Sequence, residues 1–351
     1  MNVTIKDVAV KAGVSPSTVS RVISNHPRIS EKTKRQVRQA MEELGYHPNF
    51  LARSLVKKSA DAIGVLIPST TEEFFMNPFF PEVLRGISDV AKREGFDLLL
   101  STSDSGKEDV RSLKRMIHGK RVDGVLLLSS RMQDPLLDVL REHPFPATLL
   151  GRPHDDNVPI SWVNNDNVDA CYRATRHLIG LGHRRIGFLC GDQALLVTQD
   201  RMQGYETALK EAGLPADRKL IYSSPFMEQG GYLGMMRLLA LSERPTAVVA
   251  SDDVLAFGAM RAAGELGYQI PDDIAIIGFN NVKLAEMSNP SLTSMDVHIY
   301  ELGAAVAELL IEQLRNPEAA ARSVIIPSDL VIRHSCGAWN QLSAPRRESL
   351  P

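Results

Sequence analysis

Two groups of side chains in this sequence have types and spacings suited to recognition. The first lies in GVSPSTVSRVISNHPRIS, Gly13 to Ser30, where Ser15, Ser17, Thr18, Ser20 and Ser24 are set with Arg21 among valines and isoleucines. Hydroxyls donate to phosphates or base edges, and an arginine can grip guanine O6 and N7 with two hydrogen bonds. The second group is spread along the chain. Arg201 stands in QDRMQGYETAL, Asp252 follows TAVVAS, Asn280 follows IAIIGF, Phe79 and Phe80 stand in NPFFPEVLRGI, and Phe226 follows SSP. A guanidinium, a carboxylate and an amide together suit vicinal sugar hydroxyls, which both donate and accept. The phenylalanines could stack on the apolar face of a pyranose. Blander readings stand beside these: a merely solvated polar helix face, Asp253 as a helix cap, Phe79 and Phe80 as core, and Arg201 paired with a neighbouring carboxylate.

The elements that must carry the first group can be read locally. Thr4 can cap a helix from Ile5 to about Ala12, with Asp7 in the first turn where the helix dipole favours it. Gly13 ends that helix. Ser15 can cap the next, and Pro16 suits its first position because its missing N–H would be unpaired there anyway. Val19, Val22 and Ile23 then form one apolar stripe, leaving the hydroxyls and Arg21 on the other faces. A third helix from Ser30 to about Leu44 turns Val37, Met41 and Leu44 inward and Lys32, Lys34, Arg35 and Arg38 outward. Two short helices across a tight turn, braced by a third, make an all-α helix-turn-helix head. Charge agrees. Residues 1–60 hold eleven Lys/Arg against four Asp/Glu, a net of +7, and the rest hold twenty-nine against thirty-eight, a net of −9. A basic head that meets a polyanion is carried by an acidic body.

From Ala62 the pattern changes to α/β. Short apolar runs such as AIGVLIP, FDLLLS, VDGVLLLS, ATLLG, RRIGFLC, KLIYS, TAVVAS and DIAIIGF alternate with segments of helical period, among them Pro81–Arg93, Lys107–His118, Arg201–Ala212, Gly230–Leu241 and Val254–Leu266. Strands buried on both faces read this way, and the intervening helices make parallel crossovers. The units suffice for two doubly wound parallel sheets.

Several classes are excluded. There is no H-E-x-x-H, no G-x-S-x-G, no Walker A run and no G-x-G-x-x-G after a strand, so the chain does not read as an enzyme and calls for no cofactor or metal. No apolar run approaches the ~18 residues of a membrane span, and the N-terminus is polar from Asn2, which predicts a cytoplasmic protein without a membrane partner. Cys171, Cys190 and Cys336 are scattered and odd in number, which argues for a reducing compartment.

VTIKDVAVKAGVSPSTVSRVIS and RISEKTKRQVRQAMEELGYHPNFLARSL resemble the head of the LacI/GalR family of bacterial transcription regulators, without a gap from residue 2 to about 58. YHPNFLARSLVKK resembles the family's hinge segment. The resemblance implies a helix from Phe50 to Val56 that orders on operator DNA, pairs with its dimer mate and wedges Leu55 into the minor groove, bending the duplex. It implies DNA contacts from Thr4, Ser15, Ser17, Thr18, Ser20, Arg21 and Arg28 in the head, and from Asn49, Ala52, Leu55 and Lys57 in the hinge. The body resembles the family's two-lobed, periplasmic-binding-protein-like core as far as about Gly337. That implies a head over 1–46, a hinge and linker over 47–60, a core over 61–337 and a flexible tail over 338–351. Within the core it implies an amino lobe of about 62–163 and 292–325 and a carboxy lobe of about 164–291 and 326–337, with crossings near 163–165, 290–293 and 325–327.

The same resemblance implies an effector site between the lobes, at the carboxyl ends of the strands, made of Phe79, Phe80, Asp166, Arg201, Phe226, Asp252 and Asn280. Arg201 matches the arginine of an R-x-x-G-[YW] motif. GFNN, Gly278 to Asn281, stands where most members have two aspartates. GFNNVKLAEMSNPSLTSMDVHIYELG is similar to the branch that represses maltose operons in Gram-positive bacteria. The expected protein is a homodimeric repressor of maltose or maltodextrin genes that binds a pseudo-palindromic operator and leaves it when a maltose-type sugar binds. The tail has no apolar heptads to join two dimers. Another sugar, or a phosphorylated carrier protein acting in catabolite control, remains the alternative effector.

Overall fold

The structure is a computed structural model that describes residues 3–23, 26–46, 59–67, 70–103, 105–155 and 157–339. The chain divides into two compact units, residues 1–62 and 63–351.

The first unit holds helices α1 (Ile5–Lys11), α2 (Pro16–Ile23) and α3 (Glu31–Leu44). The Asp7 carboxylate takes the Thr4 N–H at 2.8 Å and the Thr4 hydroxyl at 2.7 Å, which starts α1 and holds Asp7 below the usual carboxylate range. Gly13, at φ +61°, makes the turn into α2, a backbone conformation that costs glycine little. The Ser15 hydroxyl accepts the Thr18 N–H at 3.2 Å and caps α2. Val8, Ala9, Ala12, Val19, Val22, Val37 and Ala40 form a small core, and the Gln36 amide fastens α3 to the Ala12 carbonyl at 3.0 Å. Lys34 departs from the expected outward set. It is 7% exposed and pairs with Glu31 at 2.7 Å. The hinge helix and its residues Asn49, Ala52, Leu55 and Lys57 lie outside the described residues, as do residues 340–351 of the tail.

The second unit contains two six-stranded sheets. The first comprises β1 (Ala62–Ile67), β2 (Asp97–Thr102), β3 (Gly124–Leu127), β4 (Ala147–Leu150), β5 (Ser161–Asn165) and β11 (Ser323–Ile326), in the order β11-β5-β4-β3-β1-β2. The second comprises β6 (Ile186–Cys190), β7 (Ile221–Ser223), β8 (Ala247–Ala250), β9 (Ala275–Phe279), β10 (Thr293–Asp296) and β12 (Asp329–Val331), in the order β12-β10-β9-β8-β6-β7. The pairings β1–β3–β4–β5–β11 and β7–β6–β8–β9–β10 are parallel. The edge strand β12 runs antiparallel to β10. β1, β3, β4, β6, β8 and β9 are buried along their whole length, as parallel strands covered on both faces must be.

The helices of the first lobe are α4 (Thr71–Met76), α5 (Phe79–Glu94), α6 (Gly106–His118) and α7 (Pro135–Glu142). Those of the second are α8 (Asn167–Gly180), α9 (Leu196–Glu211), α10 (Glu228–Leu239), α11 (Asp253–Glu265) and α12 (Lys283–Met287); α13 (Ile299–Arg315) returns to pack on α5 and the first sheet.

Two expectations change. Strand β10 pairs in parallel with Ile277–Phe279, so it belongs to the second sheet. The second crossing therefore falls between Asp296 and Ile299 rather than near Pro290–Thr293, and 292–296 leaves the expected amino lobe. Helix α9 starts at Leu196 rather than at Arg201. Its opening residue Leu195 offers no side-chain cap; the Leu196 N–H is instead satisfied at 3.1 Å by the Ser130 carbonyl of the other lobe. A cap supplied by another lobe leaves no mark in the local sequence.

Candidate functional site

On α2, Val19 and Val22 face the core, Ser15, Ser17 and Arg21 are exposed, and Thr18 and Ser20 are half-buried. The Ser15 hydroxyl lies 2.8 Å from that of Ser17 and 2.9 Å from that of Thr18, so the three are joined at the helix start. Arg28 is exposed in the turn before α3, its N–H on His26 Nδ1 at 3.2 Å. Lys32, Arg35 and Arg38 are exposed along α3. Thr4 is not joined to this cluster; its O–H donates to Asp7 at 2.7 Å.

In the second unit a cavity of about 450 Å³ lies at the carboxyl ends of strands from both sheets, the position where open α/β sheets bind ligands. Ser129, Ser130 and Arg131 reach it after β3, Arg152 after β4, Asn164 and Asn165 from the end of β5, Asp192 after β6, Asp252 after β8 and Asn280 after β9. Phe79, Phe80 and Phe226 also line it, all half-buried. Phe79 and Phe80 meet edge to face at 5.5 Å and pack on the core as well, so their two readings are both realised. Phe226 lies over Gly191; a Cβ there would fall 2.2 Å from its Cζ, so only glycine lets the ring take this place.

Arg201 is 5% exposed. Its position follows from the packing of α9 on α8: Gly204, where a Cβ would meet the Val168 carbonyl at 2.2 Å, lets the two helices close. Arg201 Nε then donates to Asn167 Oδ1 at 3.0 Å, Nη1 donates to the Ser251 carbonyl, and the guanidinium lies 4.4 Å from the centre of the Phe279 ring. Burial lowers its pKa, and no carboxylate pairs with it directly among the described residues.

Asp252 is 4% exposed and caps α11, accepting the Val254 N–H at 2.7 Å. Its Oδ2 also accepts from Asn77 at 3.1 Å and Asn280 at 2.9 Å. Burial raises its pKa to about 6 against these favourable bonds. Asn280 sits at φ +100°, its N–H on the Met295 carbonyl at 2.8 Å, and its Oδ1 is buried without a partner. Ser129 likewise has an unpartnered buried hydroxyl. A polar atom buried without a partner is costly. Asp253 is fully buried and turned to the Ser294 hydroxyl at 2.7 Å and the Val282 N–H at 2.9 Å.

The cavity thus joins Phe79, Phe80, Arg201, Phe226, Asp252 and Asn280. Asp166 stands outside its lining. It is exposed and caps α8 by accepting the Asp169 N–H at 2.9 Å, while its neighbours Asn164, Asn165 and Asn167 line the cavity.

Other lining residues went unread. Asn77 accepts the Phe79 N–H at 3.0 Å before reaching Asp252; an asparagine two residues ahead of a helix-starting stretch is the cap signal that would have marked it. Asn165, at the first crossing, donates to the carbonyls of Val297 at 3.1 Å and Ile326 at 3.0 Å, tying all three crossings together. Arg152 grips Asp200 with Nε at 3.0 Å and Nη2 at 2.6 Å. No local pattern announces that pair. Among the described residues no cluster of His, Cys, Asp or Glu could hold a metal ion, no helix is long and apolar enough to cross a membrane, and all three cysteines are free and buried.

Residues 4–49 match the bacterial regulatory proteins of the lacI family, and residues 175–336 match the periplasmic binding protein-like domain. The HTH-type transcriptional regulator MalR of Streptococcus pneumoniae is 40% identical over 316 residues, covering 89% of this chain and 93% of that protein. Among solved structures, a complex of the transcriptional regulator CelR with cellobiose is similar with a TM-score of 0.75 at 32% identity, covering 95% of this chain and 99% of that one. The lac repressor dimer bound to operator and the anti-inducer ONPF is similar with a TM-score of 0.83 at 26% identity, covering 96% and 99%. A helix-turn-helix head, a two-sheet core and full-length relatives of this kind place the protein: the chain belongs to the lacI family of bacterial regulatory proteins and is a transcriptional regulator, not an enzyme.

Proposed function

We propose that this regulator is a repressor of maltose or maltodextrin utilisation genes, released from its operator when a maltose-type sugar binds between the lobes. The observation that carries the reading is the cavity wall. A buried carboxylate on Asp252, the Asn280 amide beside it and the Arg201 guanidinium stand together with three phenylalanine rings. Such a set matches hydroxyls on one side and the apolar face of a sugar ring on the other. The 40% identity with MalR supports the branch. In this reading the α2 face and the hinge contact a pseudo-palindromic operator as a homodimer, in the manner that the operator-bound lac repressor dimer suggests.

The cellobiose complex of CelR supports a second disaccharide as the rival effector. Calorimetry with maltose, cellobiose, lactose and glucose, paired with an operator-release assay, decides between them. Maltose is expected to bind and to release the DNA, with the other sugars weak. Arg201→Ala is expected to bind operator and to stay there when maltose is added. If maltose never releases the parent, the maltose assignment fails; if it releases Arg201→Ala as it releases the parent, Arg201 is not part of the sugar site.

A further inference from the structure

We propose that the Arg152–Asp200 pair is a length gate, which restricts the cavity to a disaccharide and shuts out longer oligosaccharides. The inference rests on the sugar-binding reading above and names the size of sugar that reading leaves open. Four contacts close the lobes over the cavity from the loops after β3, β4 and β6. Arg131 and Leu195 form an antiparallel bridge, with the Met132 N–H on the Ala194 carbonyl at 3.0 Å and the Leu196 N–H on the Ser130 carbonyl at 3.1 Å. Arg131 reaches Asp192 at 3.3 Å. Arg152 holds Asp200 with both arms of its guanidinium, and the Ser130 hydroxyl donates to the Arg152 carbonyl, which steadies the loop that presents it. The Arg131–Asp192 pair is largely solvated and carries little weight. The Asp200 side chain is 7% exposed, so the bidentate pair is the firm member.

Its place makes it a wall. Arg152, Leu196 and Asp200 line the inner cavity, and the same three residues line a separate outer recess of about 230 Å³. Met132, His154, Gln199, Met202, Gln203 and Glu206 complete the lining of that recess. The inner cavity, about 450 Å³, lies in the lower part of the range that encloses a drug-sized ligand, roughly 300–1,000 Å³. A two-ring sugar is of that size; a four-ring sugar is about twice as large. A longer chain that continues from the inner cavity toward the outer recess passes between Arg152 and Asp200, which line both. That breaks a charge pair and leaves a buried carboxylate without its partner, a strongly unfavourable exchange. Opening the pair by mutation instead merges cavity and recess into one longer groove.

The test is binding of maltose and maltotetraose, and of cellobiose and cellotetraose, to the full chain by calorimetry. The parent is expected to prefer the two-ring member of the series it binds by at least about tenfold. Arg152→Ser is expected to reduce that preference by about tenfold or more, chiefly by gaining affinity for the tetrasaccharide. Asp200→Asn keeps the side-chain volume but loosens the grip, and it is expected to speed tetrasaccharide association in stopped flow; it decides the matter if Arg152→Ser fails to fold. A parent that binds maltotetraose as tightly as maltose overturns the gate and leaves the sugar-binding reading intact. So does a folded Arg152→Ser or Asp200→Asn with the parent's preference and rates. A parent that binds none of the four sugars overturns both.

Discussion

Asn280 shows how one side chain reconciles a buried cluster. Its amide donates to Asp252 at 2.9 Å, so the GFNN sequence sets a donor against a carboxylate where an aspartate would set a second negative charge. The cluster also fixes the pH response. With Asp252 raised to about 6 by burial, a sugar hydroxyl that donates to its carboxylate favours the ionised form. Sugar affinity is therefore expected to be level above pH 6 and to fall as pH drops through 6, with protons released on binding in that range. Asn280→Asp is expected to move this midpoint upward, because the added charge disfavours ionisation of its neighbour. Calorimetry across pH 5 to 8 reads both, and a midpoint unmoved by Asn280→Asp counts against the role given to Asp252. In the head, Arg21 is exposed on the face opposite the buried Val19 and Val22. If it reads a guanine, Arg21→Ala costs about 1–3 kcal/mol on operator and much less on random DNA. Equal losses on both in a gel-shift titration would mark it as a phosphate contact.

At the scale of elements, the cavity depends on how closely α8 and α9 approach. Gly204 sets that distance, and through it the reach of Arg201 to Asn167. Gly204→Val is expected to destabilise the protein by about 1–3 kcal/mol through overpacking. It is also expected to weaken sugar binding in the fraction that remains folded, because α9 must move away from Asn167. Chemical denaturation and calorimetry on the same preparation measure the two effects. Sugar affinity equal to the parent's in folded Gly204→Val would show that Arg201 is placed by something other than this packing. The neighbouring element, Asn165 at the end of β5, ties the three crossings with one amide. Whatever the cavity holds therefore lies beside the segments about which the lobes can turn.

For the whole molecule the governing relation is linkage. If sugar lowers operator affinity by some factor, operator must lower sugar affinity by the same factor. Measuring maltose binding with and without saturating operator, and operator binding with and without saturating maltose, is expected to return one coupling factor. Two different factors would mean that a third state or partner takes part. This chain is expected to be a dimer of about twice its 38.7 kDa mass, and light scattering that finds a stable tetramer at micromolar concentration would overturn that expectation.

What the sequence alone determined is local. The head could be read from Thr4, Gly13, Ser15 and Pro16 because caps and turns act within three or four residues of themselves. The strand cores of β1, β3, β6, β8 and β9 could be read because strands buried on both faces are apolar throughout. Three of the cavity's polar residues stood out as well: Asp252 and Asn280 because each comes just after such a strand, and Arg201 by its R-x-x-G-[YW] motif. What only the tertiary structure decided is who meets whom across long stretches of chain. Asn77 reaches Asp252 over 175 residues and Arg152 reaches Asp200 over 48. Helix α9 takes its first hydrogen bond from the opposite lobe, and β10 finds its partner in the second sheet rather than beside α13. Asp166, which resemblance set in the cavity, is held outside by the cap it makes for α8. These pairings are chosen by the packing of two lobes, and packing compares side chains that the order of residues keeps far apart.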